Sequence, residues 1–183
     1  MRNVSVIWKL CVFAVLAYAA VSHANVYVTS AFPGAVGSYD PNSGAGGAII
    51  ATAQNSSIGA GAIGPDGHLY FALGFQSQGG APAVRRHDRN TGALLGTFAF
   101  APGSGAITHN FSALTFGPGA DVYVLDAWNS QVLRYDGSTG AFEGALVAPR
   151  SGGLGEPHGL AFTPDQQSLL VSADLNGGVL RYR

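Results

Sequence analysis

Two histidines and two aspartates of this chain stand where they could exchange protons or hold a metal ion. His158 falls in Glu156-Pro157-His158-Gly159, just before an apolar run, and His109 opens His109-Asn110-Phe111-Ser112 before the preceding run. Asp126 closes the run 122–125 and leads into Ala127-Trp128-Asn129, while Asp174 leads into Leu175-Asn176. Imidazole titrates near neutrality, so a histidine in such surroundings could act as general acid or base. With carboxylates it could also bind a divalent cation, and Ca²⁺ suits a set rich in oxygen. His109 and His158 are therefore the catalytic candidates. Asp126, Trp128, Asn129, Asp174 and Asn176 are the ligand-binding ones. No P-loop, HExxH, paired-cysteine or nucleophile-elbow pattern accompanies them.

The segments that must position these residues repeat. Asp40, Asp88 and Asp136 are spaced by 48 residues, as are Gly44, Gly92 and Gly140, and Leu180-Arg181-Tyr182 follows Leu133-Arg134-Tyr135 by 47. A period of 40 to 50 residues made of short strands is the signature of a β-propeller blade. Each unit reads as strands a to d. The b strands are Val26-Tyr27-Val28, Leu69-Tyr70-Phe71, Val122-Tyr123-Val124 and Leu169-Leu170-Val171; the c strands end in Tyr39, His87, Tyr135 and Tyr182. These β-branched and aromatic runs are bounded by Gly, Pro and Asp. The first unit shows no a strand, and the second has only Ala62-Ile63 for one. The last shows no d strand, which leaves 14 strands in four units. The expected fold is all-β, a propeller-type repeat of four-stranded blades with two incomplete units, forming an open arc or part of a larger propeller.

The turns are built from the same few residues. Gly64-Pro65-Asp66-Gly67 joins a to b, and Asp88-Arg89-Asn90-Thr91-Gly92 joins c to d, with copies at 40–44 and 136–140. An Asp in such a loop could ligate calcium, but its ordinary work is to bond the turn amides ahead of it. The latter is the favoured reading, since the other carboxylates of a calcium loop are missing. Arg86, Arg134 and Arg181 recur at one strand position, which points to a repeated structural pairing.

Residues 1–24 read as an export leader. Arg2 and Lys9 precede an apolar run from Leu10 to Val21, and Ser22-His23-Ala24 offers a small–x–small cleavage pattern, so the exported chain would begin at Asn25. The run is short for a membrane span, which needs about 20 residues. The only cysteine, Cys11, lies in the leader, so residues 25–183 have none to form a disulfide. They carry seven arginines and no lysine against ten acidic residues, which gives no basic patch for nucleic acid. Glycine is abundant, but it is periodic and the hydrophobic content is 47%, too high for a disordered chain.

The run from Gly159 to Tyr182, GLAFTPD…LLVSADLNGGVLRY, and ALTFGPGADVYVLDAWNSQVLRYDGSTGAFEG before it (Ala113 to Gly144) resemble NHL-type repeats. The wider group includes SMP-30/gluconolactonase-like and streptogramin-lyase-like propellers. Within it the chain looks most like exported bacterial NHL-like proteins that often carry a PEP-CTERM segment. The resemblance implies a propeller, with ligands at the channel mouth on the loops before strand a and between b and c. There His109, His158, Asp126 and Asp174 would converge on one site. Against this, Ser30-Ala31 and Leu73-Gly74 replace the Asp in the first two units, and no Glu precedes Glu143 to match the metal site of lactonase relatives. The favoured expectation is a non-enzymatic binding module without a cofactor, taking a protein or carbohydrate at the cell surface. Open edge strands would let it form homo-oligomers. The alternative is a metal-assisted hydrolase or lyase.

Overall fold

The computed structural model describes residues 13–15, 25–30, 34–51, 56–76, 81–103, 109–175 and 177–183. They form four antiparallel sheets in chain order, each a simple meander. The first holds β1 (Phe13–Val15), β2 (Val26–Ser30), β3 (Ala35–Tyr39) and β4 (Gly46–Ala51). The second holds β5 (Ser56–Ile63), β6 (Leu69–Gln76), β7 (Ala83–His87) and β8 (Leu94–Phe100). The third holds β9 (Phe111–Phe116), β10 (Val122–Asp126), β11 (Gln131–Tyr135) and β12 (Phe142–Val147). The fourth has three strands: β13 (Pro157–Phe162), β14 (Leu169–Ala173) and β15 (Gly178–Tyr182). Among the described residues no helix is long and apolar enough to cross a membrane.

In the second, third and fourth sheets burial peaks at the second strand and falls outward from it. Every residue of β10 is buried, whereas the outer strands β8 and β12 are mostly exposed. A strand covered on both faces reads as an unbroken apolar run, which is how Val122-Tyr123-Val124-Leu125 appears in sequence. Three apolar clusters fill the spaces between successive sheets. Tyr27, Val36 and Ile50 meet Leu69, Phe71 and Leu73 in the first. Tyr70 and Val84 meet Phe111, Leu114, Val122 and Tyr135 in the second. Tyr123, Leu125 and Val147 meet Leu169 and Val171 in the third. The repeated b-strand tyrosine joins neighbours edge-on: Tyr70 lies 5.1 Å from Phe116 of the next sheet, and Tyr123 lies 4.8 Å from Phe162.

The repeated glycine has two tasks. Gly92 and Gly140 both adopt φ of +72°, which favours glycine. A side chain on either would also collide with the preceding sheet, at the carbonyls of Ile49 and Phe98 respectively. The repeat thus marks where one blade touches the last.

Two strand expectations are corrected. The first sheet does have an inner strand: Phe13–Val15, inside the expected leader, pairs antiparallel with Tyr27–Thr29 of β2. The inner strand of the second sheet begins at Ser56 rather than Ala62: its pairing with β6 shifts register at Ser57 and at Gly59-Ala60, where the apolar pattern also breaks, and resumes at Gly61. The described strands therefore number 15 rather than 14. The fourth sheet shows three strands, as its sequence indicates.

Candidate functional site

The repeated turn and arginine residues serve the fold. Asp88 Oδ1 accepts the amides of Asn90 and Thr91 and the Thr91 hydroxyl, at 3.0, 2.8 and 2.9 Å. Asp40 and Asp136 do the same in their own turns. Arg86 meets Asp66 at 2.6 Å, Arg134 meets Asp121 at 2.9 and 2.6 Å, and Arg181 donates to Ser168 at 2.8 Å. Each of these ties strand c to the turn between a and b.

The Asp126 carboxylate, fully buried at the end of β10, gathers the loops around it. Oδ1 accepts the Asn110 amide at 3.0 Å. Oδ2 receives Asn129 Nδ2 at 2.6 Å and Gln131 Nε2 at 2.8 Å, and stands 2.6 Å from His109 Nδ1. Four protein groups thus meet the carboxylate, three of them crowded on Oδ2 and one on Oδ1. With Nδ1–H donated to Asp126, a neutral His109 presents Nε2 as an acceptor or base. Burial, together with the negative charge of Asp126, pushes the Tyr135 phenol well above its ordinary pKa. Gln131 is absent from the sequence reading. Its signal would have been a polar side chain opening an otherwise apolar strand, opposite Asp126 in the ladder.

His158 and Asp174 form a second and different pair. His158 Nε2 lies 3.1 Å from Asp174 Oδ2, with about half of the imidazole and more of the carboxylate exposed. The strand registers show that the two pairs do not occupy equivalent positions. Asp126 pairs with Phe111 in the third sheet, and Ala173 with Pro157 in the fourth. His158 therefore matches Ser112 rather than Phe111, and Asp174 matches Ala127, not Asp126. One pair is a buried join and the other an exposed contact. Among the described residues no three His, Cys, Asp or Glu lie close enough to share a metal ion. Asn176 lies outside the described residues.

Trp128 and Asn129 diverge. Asn129 turns in to Asp126, while Trp128, half exposed, lines a cleft of about 560 Å³ between the third and fourth sheets. Ala127, Ser130, Arg150, Leu154, Glu156 and Leu175 complete most of its wall. Arg150 and Glu156 were missed in sequence because neither occupies a repeated position.

No family model and no curated protein matches this chain. Solved structures do. A streptogramin B lyase structure matches with a TM-score of 0.61 at 14% identity, over 99% of this chain and 57% of that one. A gluconolactonase from Xanthomonas campestris matches at 0.59 and 17%, over 84% and 52%. A protein of unknown function from Bacteroides caccae matches at 0.61 and 13%, over 87% and 53%. At such identity the likeness establishes the fold: four blades of a partial β-propeller. The chain spans about half the length of the propellers it matches.

Proposed function

We propose that this chain is an exported, NHL-like propeller module that binds a ligand and does no chemistry on it, working in the periplasm or at the cell surface. The observation that carries this is the complete burial of Asp126 among protein donors. Four protein donors occupy its carboxylate, so the buried acid that sequence marks as a ligand is spent on joining loops. The neighbouring cleft, by contrast, opens to solvent beside Trp128. Metal analysis of the purified chain and thermal unfolding with Ca²⁺ or EDTA test this reading. No stoichiometric metal and an unchanged midpoint are expected, since an ion bound only by the folded chain would raise the midpoint. A stoichiometric ion whose removal lowers the midpoint would overturn it.

One observation favours a second reading. A histidine oriented by a buried carboxylate is half of the arrangement used in general-base catalysis. In that case the chain would be a hydrolase or lyase, and ring opening of a simple lactone, lost in His109→Gln and retained in His158→Gln, would establish it.

A further inference from the structure

We infer that the cleft between the third and fourth sheets is a binding site for a neutral carbohydrate, with Trp128 as its stacking platform. The inference rests on the binding-module reading and names its ligand class. The cleft falls within the roughly 300–1,000 Å³ of small-molecule sites. Its wall combines a large aromatic face, half exposed, with Leu175, 69% exposed, over a floor at buried Leu154.

Its charged groups are unspent. Among the described residues, neither the Arg150 guanidinium nor the Glu156 carboxylate makes a hydrogen bond or ion pair. Arg86, Arg89, Arg134 and Arg181 are all engaged elsewhere. The smaller cleft between the first two sheets, about 450 Å³, differs in this respect: its Asp66 is held by Arg86 and its Arg89 by Tyr27.

The backbone beneath is fixed in a costly form. Ser130, Arg150 and Glu156 all take positive φ, at 50°, 58° and 45°, and all line this cleft. Non-glycine residues in that region are strained and collect at functional sites. Here Arg150 is pinned by its amide to the Ser130 carbonyl at 2.8 Å, and Glu156 by its carbonyl to the Asp174 amide at 3.2 Å. The main chain is held while, among the described residues, the two side chains have no polar partner.

These features select the ligand class. One cation and one anion leave the wall without net charge, which favours neither an anionic nor a cationic ligand. A guanidinium offers paired donors and a carboxylate paired acceptors, and adjacent hydroxyls of a sugar ring satisfy both. The C–H face of the same ring suits an indole, which is apolar in body and tolerant of a wet rim.

Calorimetric titration of the full chain with hexasaccharides of β-1,4-glucose, α-1,4-glucose, β-1,4-N-acetylglucosamine and β-1,4-xylose tests the site. At least one should bind. Trp128→Ala should weaken it tenfold or more, and Arg150→Gln and Glu156→Gln each severalfold. Asp165→Asn, in an exposed turn at the other end of the sheet, should leave affinity unchanged. Unaltered thermal midpoints confirm that the variants fold. Binding that survives Trp128→Ala would overturn this site while leaving a binding module elsewhere. Silence across the whole panel would overturn the carbohydrate assignment. Failure of the module itself reads out separately, as lactone turnover lost in His109→Gln.

Discussion

Asp126 and Asp174 differ in surroundings far more than in sequence, and the difference has a measurable size. Replacing Asp126 by Asn turns one acceptor oxygen into a donor among groups that already donate. Leaving buried donors without their acceptor costs about 1–3 kcal/mol or more. Asp174→Asn removes only an exposed partner of His158 and should stay within about 0.5 kcal/mol. Urea unfolding of the two variants checks this; equal effects would mean that Asp126 does not hold its loops together. The acid limb of stability follows from other residues. Burial, the largest influence, lowers the pKa of His87, against the Gly92 carbonyl 3.0 Å from Nδ1, which raises it. A histidine depressed on folding takes up its proton more readily when unfolded. Its stability is therefore complete above about pH 6.5 and declines as pH falls below that value. Asp88 is lowered by the amide and hydroxyl of Thr91, and Asp136 by the hydroxyl and amide of Thr139. Their contributions are present above the ordinary carboxylate range and fade only as pH drops below about 4. Unfolding free energy measured from pH 8 to 3 should thus fall in two stages. His87→Gln should abolish the first; a first stage that persists would assign it to another histidine.

At the scale of the element, the repeated glycine separates two causes of strain. Gly44 has φ of +69° and open space for 4 Å around the point a Cβ would occupy, whereas Gly140 has φ of +72° and faces the Phe98 carbonyl. Gly44→Ala should therefore cost the left-handed penalty alone, about 1–2 kcal/mol. Gly140→Ala should exceed it clearly, since backbone of the neighbouring sheet must also move. Similar losses in denaturant would show that the blade contact tolerates a methyl group. This also explains what could be read in advance. The 48-residue period was legible because blade contacts impose it: turn aspartate, positive-φ glycine and strand tyrosine each recur with a geometric duty. The arginine pairing was legible for the same reason. The inner strands β1 and β5 were not: Phe13–Val15 lies inside one continuous apolar run, and two register shifts, at Ser57 and at Gly59-Ala60, erase the period-2 signal of β5. The cleft was hidden for the opposite cause. Ser130, Arg150 and Glu156 stand outside the repeat, in loops brought together only by sheet packing, and periodicity carries no information about them.

At the scale of the whole molecule, we predict association through the strands at the two ends of the described arc. The fourth sheet presents β15 with no outer neighbour among the described strands, and Val179 on it is 64% exposed. An unpaired strand with an apolar residue is a template for another chain. The inner position of the first sheet is contested. Phe13–Val15 fills it, yet the same residues lie within the expected export leader, and cleavage after Ala24 would remove them. The two uses exclude each other in one molecule. A secreted form beginning at Asn25 would expose the inner edge of β2 as well as the outer edge of β15, and should associate more strongly than the full chain. Mass spectrometry of the chain recovered from cells and from medium tests whether residues 1–24 are removed. Light scattering of both forms then measures the consequence. The expected result is a dimer or larger species for the shorter form, returned to monomer by Val179→Lys, which places a charge on the open edge. A sharp monomer of the form beginning at Asn25 would show that neither edge recruits a second copy, and that the arc is stable with its end strands bare.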